Sequence, residues 1–166
     1  MPYPDCDVAH TEDGPLAGLT FSVKDMFDVA GFPTSAGSPT MLAVSGIKTT
    51  TARAVQQLLD AGARFIGKAV TDEFAFSVIG NNAHFGVPVN GAAPDRYAGG
   101  SSSGSASSVS CGLCDFHSEP IREVPFVVPR VNADYSASDR ASVVSLWKAV
   151  SVSAQHLTQP VFWRPT

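Results

Sequence analysis

Two short stretches of this chain hold side chains that can move a proton. Lys24 closes a segment in which Leu19, Phe21 and Val23 alternate with Thr20 and Ser22. That alternation is a strand's, and it delivers an ammonium group at the end of an apolar edge. A lysine acts as a base near neutral pH only when burial and neighbours hold its pKa far below its usual value of about 10.4. The position of Lys24 suits that role. A strand-end lysine that lays its stem on apolar surface and keeps its amine in water has the same pattern, however. The second stretch is Gly99-Gly-Ser-Ser-Ser-Gly104, a run of hydroxyls between glycines. By itself it reads as a linker or turn, and it lacks the Gly-Lys-Ser/Thr of a phosphate-binding loop. Cys111 and Cys114 stand at redox spacing but read as inert packing cysteines. His84 has no second ligand at metal spacing, so it reads as structural or as lining a cleft.

The elements that must carry these residues follow from periodicity. From Thr49 to Ala63, residues Ala52, Val55, Leu58 and Leu59 share one helical face, and Gly62 is a stop signal. Residues 63–69, Ala-Arg-Phe-Ile-Gly-Lys-Ala, read as the next strand, so strand, helix and strand follow in the rhythm of an α/β sheet. Thr71-Asp-Glu predicts a helix start for Glu73-Phe-Ala-Phe-Ser-Val78, with Thr71 as its cap. Residues 80–100 are rich in glycine, proline and asparagine, and the glycine-serine run feeds a segment of small residues long enough for a packed helix. Residues 1–14, with Pro2 and Pro4, form a surface lead-in. Beyond Phe116 no clean period continues.

Composition removes several function classes. With 166 residues, 44% hydrophobic and 16% charged, the chain has the make-up of one globular domain. A formal charge of -4 gives no footprint for nucleic acid. No apolar run approaches the roughly 20 residues that cross a bilayer, and the start lacks the basic-then-apolar order of a secretory leader. Cys6, Cys111 and Cys114 are an odd count that suits a reducing compartment, so the expected location is cytoplasmic.

Three segments taken together resemble the amidase-signature family: GPLAGLTFSVKD (14–25), ARFIGKAVTDEFAFS (63–77) and APDRYAGGSSSGSASSVSCGL (93–113). DEFAFSVIGNNAHFGVPVN (72–90) is most similar to indole-3-acetamide amidohydrolases. The resemblance covers about residues 14–116. It implies an α/β fold, the N-terminal part of a large mixed sheet covered by helices, with 15–116 as a partial amidase domain. It also implies hydrolysis of a small carboxamide without cofactor or metal. In that chemistry a serine nucleophile passes its proton through a second serine to a neutral lysine. By position the lysine is Lys24 and the relay is Ser101, which the family places on a cis peptide. The substrate class is a small-molecule amide, with no nucleic acid or membrane partner and with homo-oligomerisation open. Two alternatives stand beside it: a non-catalytic binding fragment, and an amidotransferase A-subunit with partner subunits and tRNA-dependent chemistry.

The pattern breaks after Phe116. The family continues with a segment like ALGTDTGGS, whose last residue is the nucleophile and whose backbone N–H groups stabilise the oxyanion. This chain reads HSEPIREVP, and the nucleophile's position falls on Pro125, which can neither attack a carbonyl nor donate a backbone hydrogen bond. Writing Ser118 to Pro125 as TCG GAA CCG ATA CGG GAG GTT CCG, and joining the last base of each codon to the next two, gives Gly-Thr-Asp-Thr-Gly-Gly-Ser. Similar stretches reappear from Pro125 to Arg140 and from Gln155 to Arg164. The expectation is therefore a shift of one base near the Phe116–His117 junction, with 117–166 an out-of-frame, poorly packed tail and the activity of this chain lost.

Overall fold

The computed structural model describes residues 7–118. Within them, β1 (Thr20–Lys24) is followed by two short helices, α1 (Pro39–Ser45) and α2 (Arg53–Asp60), then by β2 (Arg64–Ala69). A single turn of 3-10 helix spans Glu73–Ala75, α3 runs over Ser103–Ser110, and β3 over Phe116–Ser118. The three strands form one sheet in the order β2-β1-β3, parallel throughout. This is the expected α/β arrangement. Being central, β1 is covered on both faces: Ser22 and Lys24 are buried as well as Phe21 and Val23.

The helix expected over 49–63 forms as α2, with Val55, Leu58 and Leu59 buried. It is shorter at both ends. The N–H of Ala52 bonds the carbonyl of Asp28 instead of opening a turn. At the other end, the N–H groups of Gly62 and Ala63 bond the carbonyls of Leu59 and Leu58, a Schellman closure with Gly62 at φ 94°. The chain then enters β2, where Phe21 pairs with Phe65 but Ser22 pairs with Gly67, so Ile66 is an extra residue on that strand.

The helix expected from Glu73 onwards does not form. Phe74 and Ala75 take φ values of 51° and 57°, in the left-handed region. Thr71 does not cap a helix. Its hydroxyl goes to the carbonyl of Ser101, while the N–H of Phe74 goes to the carbonyl of Ala36. Long-range bonds have taken the donors that a helical turn would have used.

The core lies beneath the sheet's apolar side. The Phe21 ring stacks on Phe116 at 5.5 Å and meets Phe65 edge-on at 6.1 Å, and Phe65 in turn meets Phe32 at 5.2 Å. Val23, Val29, Val55, Leu59 and Val109 are buried as well. β3 carries on across Phe116 to His117 and Ser118, both buried and paired with Ser22 and Val23 of β1, so the first two residues of the expected tail are part of the sheet. Of the tail expected over 117–166, everything after Ser118 lies outside the described residues, as does Cys6.

Candidate active site

Parallel strands end together, and polar groups collect beyond their carboxyl ends. Lys24 is the last residue of β1 and is 4% exposed. Its Nζ lies 2.8 Å from the Oγ of Ser101 and 2.8 Å from the Oγ of Ser102. The two residues that the sequence singles out, Lys24 and Ser101, are thus in hydrogen-bond contact across 77 positions of chain. Ser102 is a contact that sequence reasoning misses. Its signal is present only as the next hydroxyl of the Ser101-Ser-Ser run, and an amine with more than one N–H can hold both.

The loop bearing these serines is fixed from below. The Gly100–Ser101 peptide is cis. The carbonyl of Ser101 accepts two hydrogen bonds, from the Thr71 hydroxyl at 2.7 Å and from the Asp72 N–H at 3.1 Å. Gly100 is held by a bond from its N–H to the carbonyl of Val78. Any side chain at position 100 would collide with the Asp72 carboxylate and the Gly80 backbone. Asn82 ties this clamp to the neighbouring loop, donating from Nδ2 to the carbonyls of Gly37 and Thr71 at 2.8 and 2.9 Å. Behind the serine loop, Ser22 of β1 meets Ser108 of α3 at 2.8 Å, so the helix that follows the loop is locked to the strand that carries the lysine.

A second buried cluster joins Asp25, the last residue of the 14–25 segment, to Lys68 within the 63–77 segment, two residues to which sequence reasoning assigns no role. Lys68 reaches the Asp25 carboxylate at 2.7 Å, the carbonyl of Phe27 at 2.6 Å and the hydroxyl of Thr34 at 3.2 Å. Burial pushes the Lys68 ammonium below its ordinary pKa, and the charge and hydrogen bond of Asp25 oppose that push. The available signal is a charged residue just after Gly67 in an otherwise strand-like run.

The remaining candidates sit elsewhere. His84 lies in its turn, partly exposed, with Nε2 3.5 Å from Glu73. Cys111 is exposed and Cys114 buried, both without a disulfide, and the Cys114 thiol points to Ser108. No cluster of His, Cys, Asp or Glu able to hold a metal is found among the described residues, and no helix among them is long and apolar enough to cross a membrane. Pro125 lies outside them. β3 ends at Ser118, which pairs with Val23, so the described part of the chain stops one residue below the level of Lys24.

A lysine amine bridging two hydroxyls at the mouth of a parallel sheet can pass a proton to and from either. The family model described as Amidase matches residues 4–118, more than half of the chain. The chain belongs to the amidase family. Amidase 1 of Arabidopsis thaliana is 50% identical over 101 residues, which are 61% of this chain and 24% of that protein. The chloroplastic outer envelope protein 64 of the same plant is 44% identical over 102 residues, 61% of this chain and 17% of that one. The crystal structure of the glutamyl-tRNA(Gln) amidotransferase A-subunit from Thermotoga maritima matches with a TM-score of 0.60 and 28% identity, over 68% of this chain and 24% of that one. The amidase-family chain therefore spans about a quarter or less of the length of these relatives.

Proposed function

We propose that this chain is the opening part of an amidase that hydrolyses a small carboxamide, with Lys24 as the base and Ser101 as the proton relay. The observation that carries the reading is the 2.8 Å contact between Lys24 Nζ and Ser101 Oγ, held by the two bonds to the Ser101 carbonyl. In the parental reaction a further serine attacks the amide carbon. Its proton passes through Ser101 to neutral Lys24 and returns to the departing nitrogen as the C–N bond breaks, leaving an acyl-enzyme that water hydrolyses. The likeness to Amidase 1 supports an amide substrate, and we place the protein in the cytoplasm.

The nucleophile is the missing part. Its expected position is Pro125, and the family match stops at residue 118, close to the junction where a one-base shift restores Gly-Thr-Asp-Thr-Gly-Gly-Ser. In this reading the chain as it stands is inactive. The test is release of ammonia from indole-3-acetamide and from simple aryl and aliphatic amides. Background rates are expected, and robust turnover abolished by Ser101→Ala would show that Ser101 itself is the nucleophile. A second reading, an amidotransferase A-subunit fragment, rests on the likeness to the Thermotoga protein. It predicts stable association with partner subunits, which pull-down from the source cells would detect.

A further inference from the structure

Asn82 is buried, and every hydrogen-bonding position of its side chain is taken. Nδ2 donates to the carbonyls of Gly37 and Thr71 at 2.8 and 2.9 Å, and Oδ1 accepts the N–H groups of His84 and Phe85, both at 2.9 Å. Two carbonyls face one end of the amide and two N–H groups the other, which fixes its orientation. Its main chain also exchanges bonds with Gly86, at 2.9 and 3.4 Å. One side chain thus joins three separate stretches: the loop after β1, the residues that follow β2, and the turn over 82–86.

The backbone around this junction is strained. Among the described residues, the non-glycine residues in the left-handed region are Ala36 at φ 51°, Phe74 at 51° and Ala75 at 57°. Ala36 adjoins Gly37, and Phe74 and Ala75 come just after Asp72. The N–H of Phe74 donates to the carbonyl of Ala36, so the strained residues meet each other. Gly37 is itself at φ 74°, and a Cβ there would lie 2.6 Å from the Thr71 carbonyl oxygen and 2.9 Å from Asn82 Nδ2. Conformations of this kind cost energy and persist only where the surrounding bonds over-determine them, and they gather where a nearby group must be held in place. The group gripped here is Ser101, whose carbonyl takes the Thr71 hydroxyl at 2.7 Å and the Asp72 N–H at 3.1 Å.

We propose that Asn82 is a positioning residue for Ser101: by tying the Thr71 carbonyl to Gly37, it sets the Thr71–Asp72 backbone that grips the Ser101 carbonyl and so aims the Ser101 hydroxyl at Lys24. Its consequence for catalysis rests on the reading of Ser101 as the relay. Aspartate is the informative replacement. An ionised carboxylate keeps an acceptor for His84 and Phe85 but has no N–H for Gly37 and Thr71, so the turn is retained and the tie is lost.

The experiment reads the Asp72–Ser101 hydrogen bond itself, through the NMR scalar coupling between the Asp72 15N and the Ser101 carbonyl 13C in the full 166-residue chain. It compares the unaltered chain with Asn82→Asp and with Val55→Ala, a core change in α2 that controls for lost stability. The coupling should be present in the unaltered chain and in Val55→Ala, and lost in Asn82→Asp. A coupling retained in folded Asn82→Asp overturns the proposal, because a merely structural asparagine would lower stability and leave that bond in place. Should Asn82→Asp fail to fold, native-state hydrogen exchange of the unaltered chain decides. The Asp72, Phe74, His84 and Phe85 amides should then open as one unit with a common urea dependence, and an Asp72 amide that exchanges through its own smaller opening overturns the proposal. In the chain with its frame restored, Asn82→Asp should lower kcat by about 100-fold with KM little changed, the scale of a reacting group misplaced by about 1 Å. An unchanged kcat, with Ser101→Ala inactive, overturns the proposal and leaves the relay standing. A restored enzyme indifferent to Ser101→Ala overturns the relay instead, and the coupling still decides whether Asn82 positions the loop.

Discussion

Replacing Thr71 by valine tests the clamp on Ser101 with almost no change of shape. Thr71 is fully buried, and its hydroxyl supplies one of the two bonds to the Ser101 carbonyl, at 2.7 Å. The other, from the Asp72 N–H at 3.1 Å, is a main-chain bond that the substitution leaves in place. The carbonyl is therefore not orphaned. The loss should match one ordinary intramolecular hydrogen bond, about 1 kcal/mol, and not the penalty of about 1–3 kcal/mol for a buried group left without a partner. With a urea slope of about 2 kcal/mol/M, that is a midpoint lowered by about 0.5 M. Equilibrium urea unfolding of both chains, followed by far-ultraviolet circular dichroism, measures it. An unchanged midpoint would mean that the Thr71 hydroxyl does not hold the serine loop. A loss above about 3 kcal/mol would mean that the Asp72 bond does not hold the carbonyl by itself.

Phe21→Ala should cost about 3–5 kcal/mol, because it removes a ring with no exposed surface that packs on both Phe65 and Phe116; urea unfolding checks it, and a loss under about 1 kcal/mol would contradict the core described. The stability difference between the unaltered chain and Lys68→Met should grow as pH rises. Lys68 has a lowered pKa in the folded state, so above that value the unfolded chain binds more protons; the gain begins at the folded pKa and is complete at the unfolded value of about 10.4. Chemical unfolding across alkaline pH reads this, and a difference that shrinks with pH would reverse the sign. Sequencing the gene across codons 114–120 should reveal an intact amidase frame resuming just after Phe116. Alternative frames interrupted by stops and lacking a Gly-Thr-Asp-Thr-Gly-Gly-Ser segment would end the one-base explanation.

How much of this is legible depends on whether the signal is local. β1 and the buried face of α2 are written as period, and β2 as a short strand-like run after the helix stop, and can be read directly. The short α1 has no such mark. It buries no residue, so it has no apolar stripe, and its trace is Ser38-Pro39, a proline at the first helical position. Residues 73–78 show the converse error. Thr71, Asp72 and Glu73 have the chemistry of a helix start, but the Thr71 hydroxyl and the Asp72 N–H are claimed by the Ser101 carbonyl and the Phe74 N–H by the carbonyl of Ala36, partners remote in sequence. Lys24 and Ser101 are legible only because three motifs in order point to one family. Lys68 and Ser102 acquire meaning from contacts, and neither carries a pattern of its own.

The most direct test of the central claim is hydrolysis by the chain with its frame restored after Phe116. Ammonia release from indole-3-acetamide and simple amides should appear on restoration, and Lys24→Ala and Ser101→Ala should each then lower it by at least about 100-fold, the scale of a lost proton-transfer partner. A restored protein that hydrolyses amides equally well without the Lys24 amine would contradict the account.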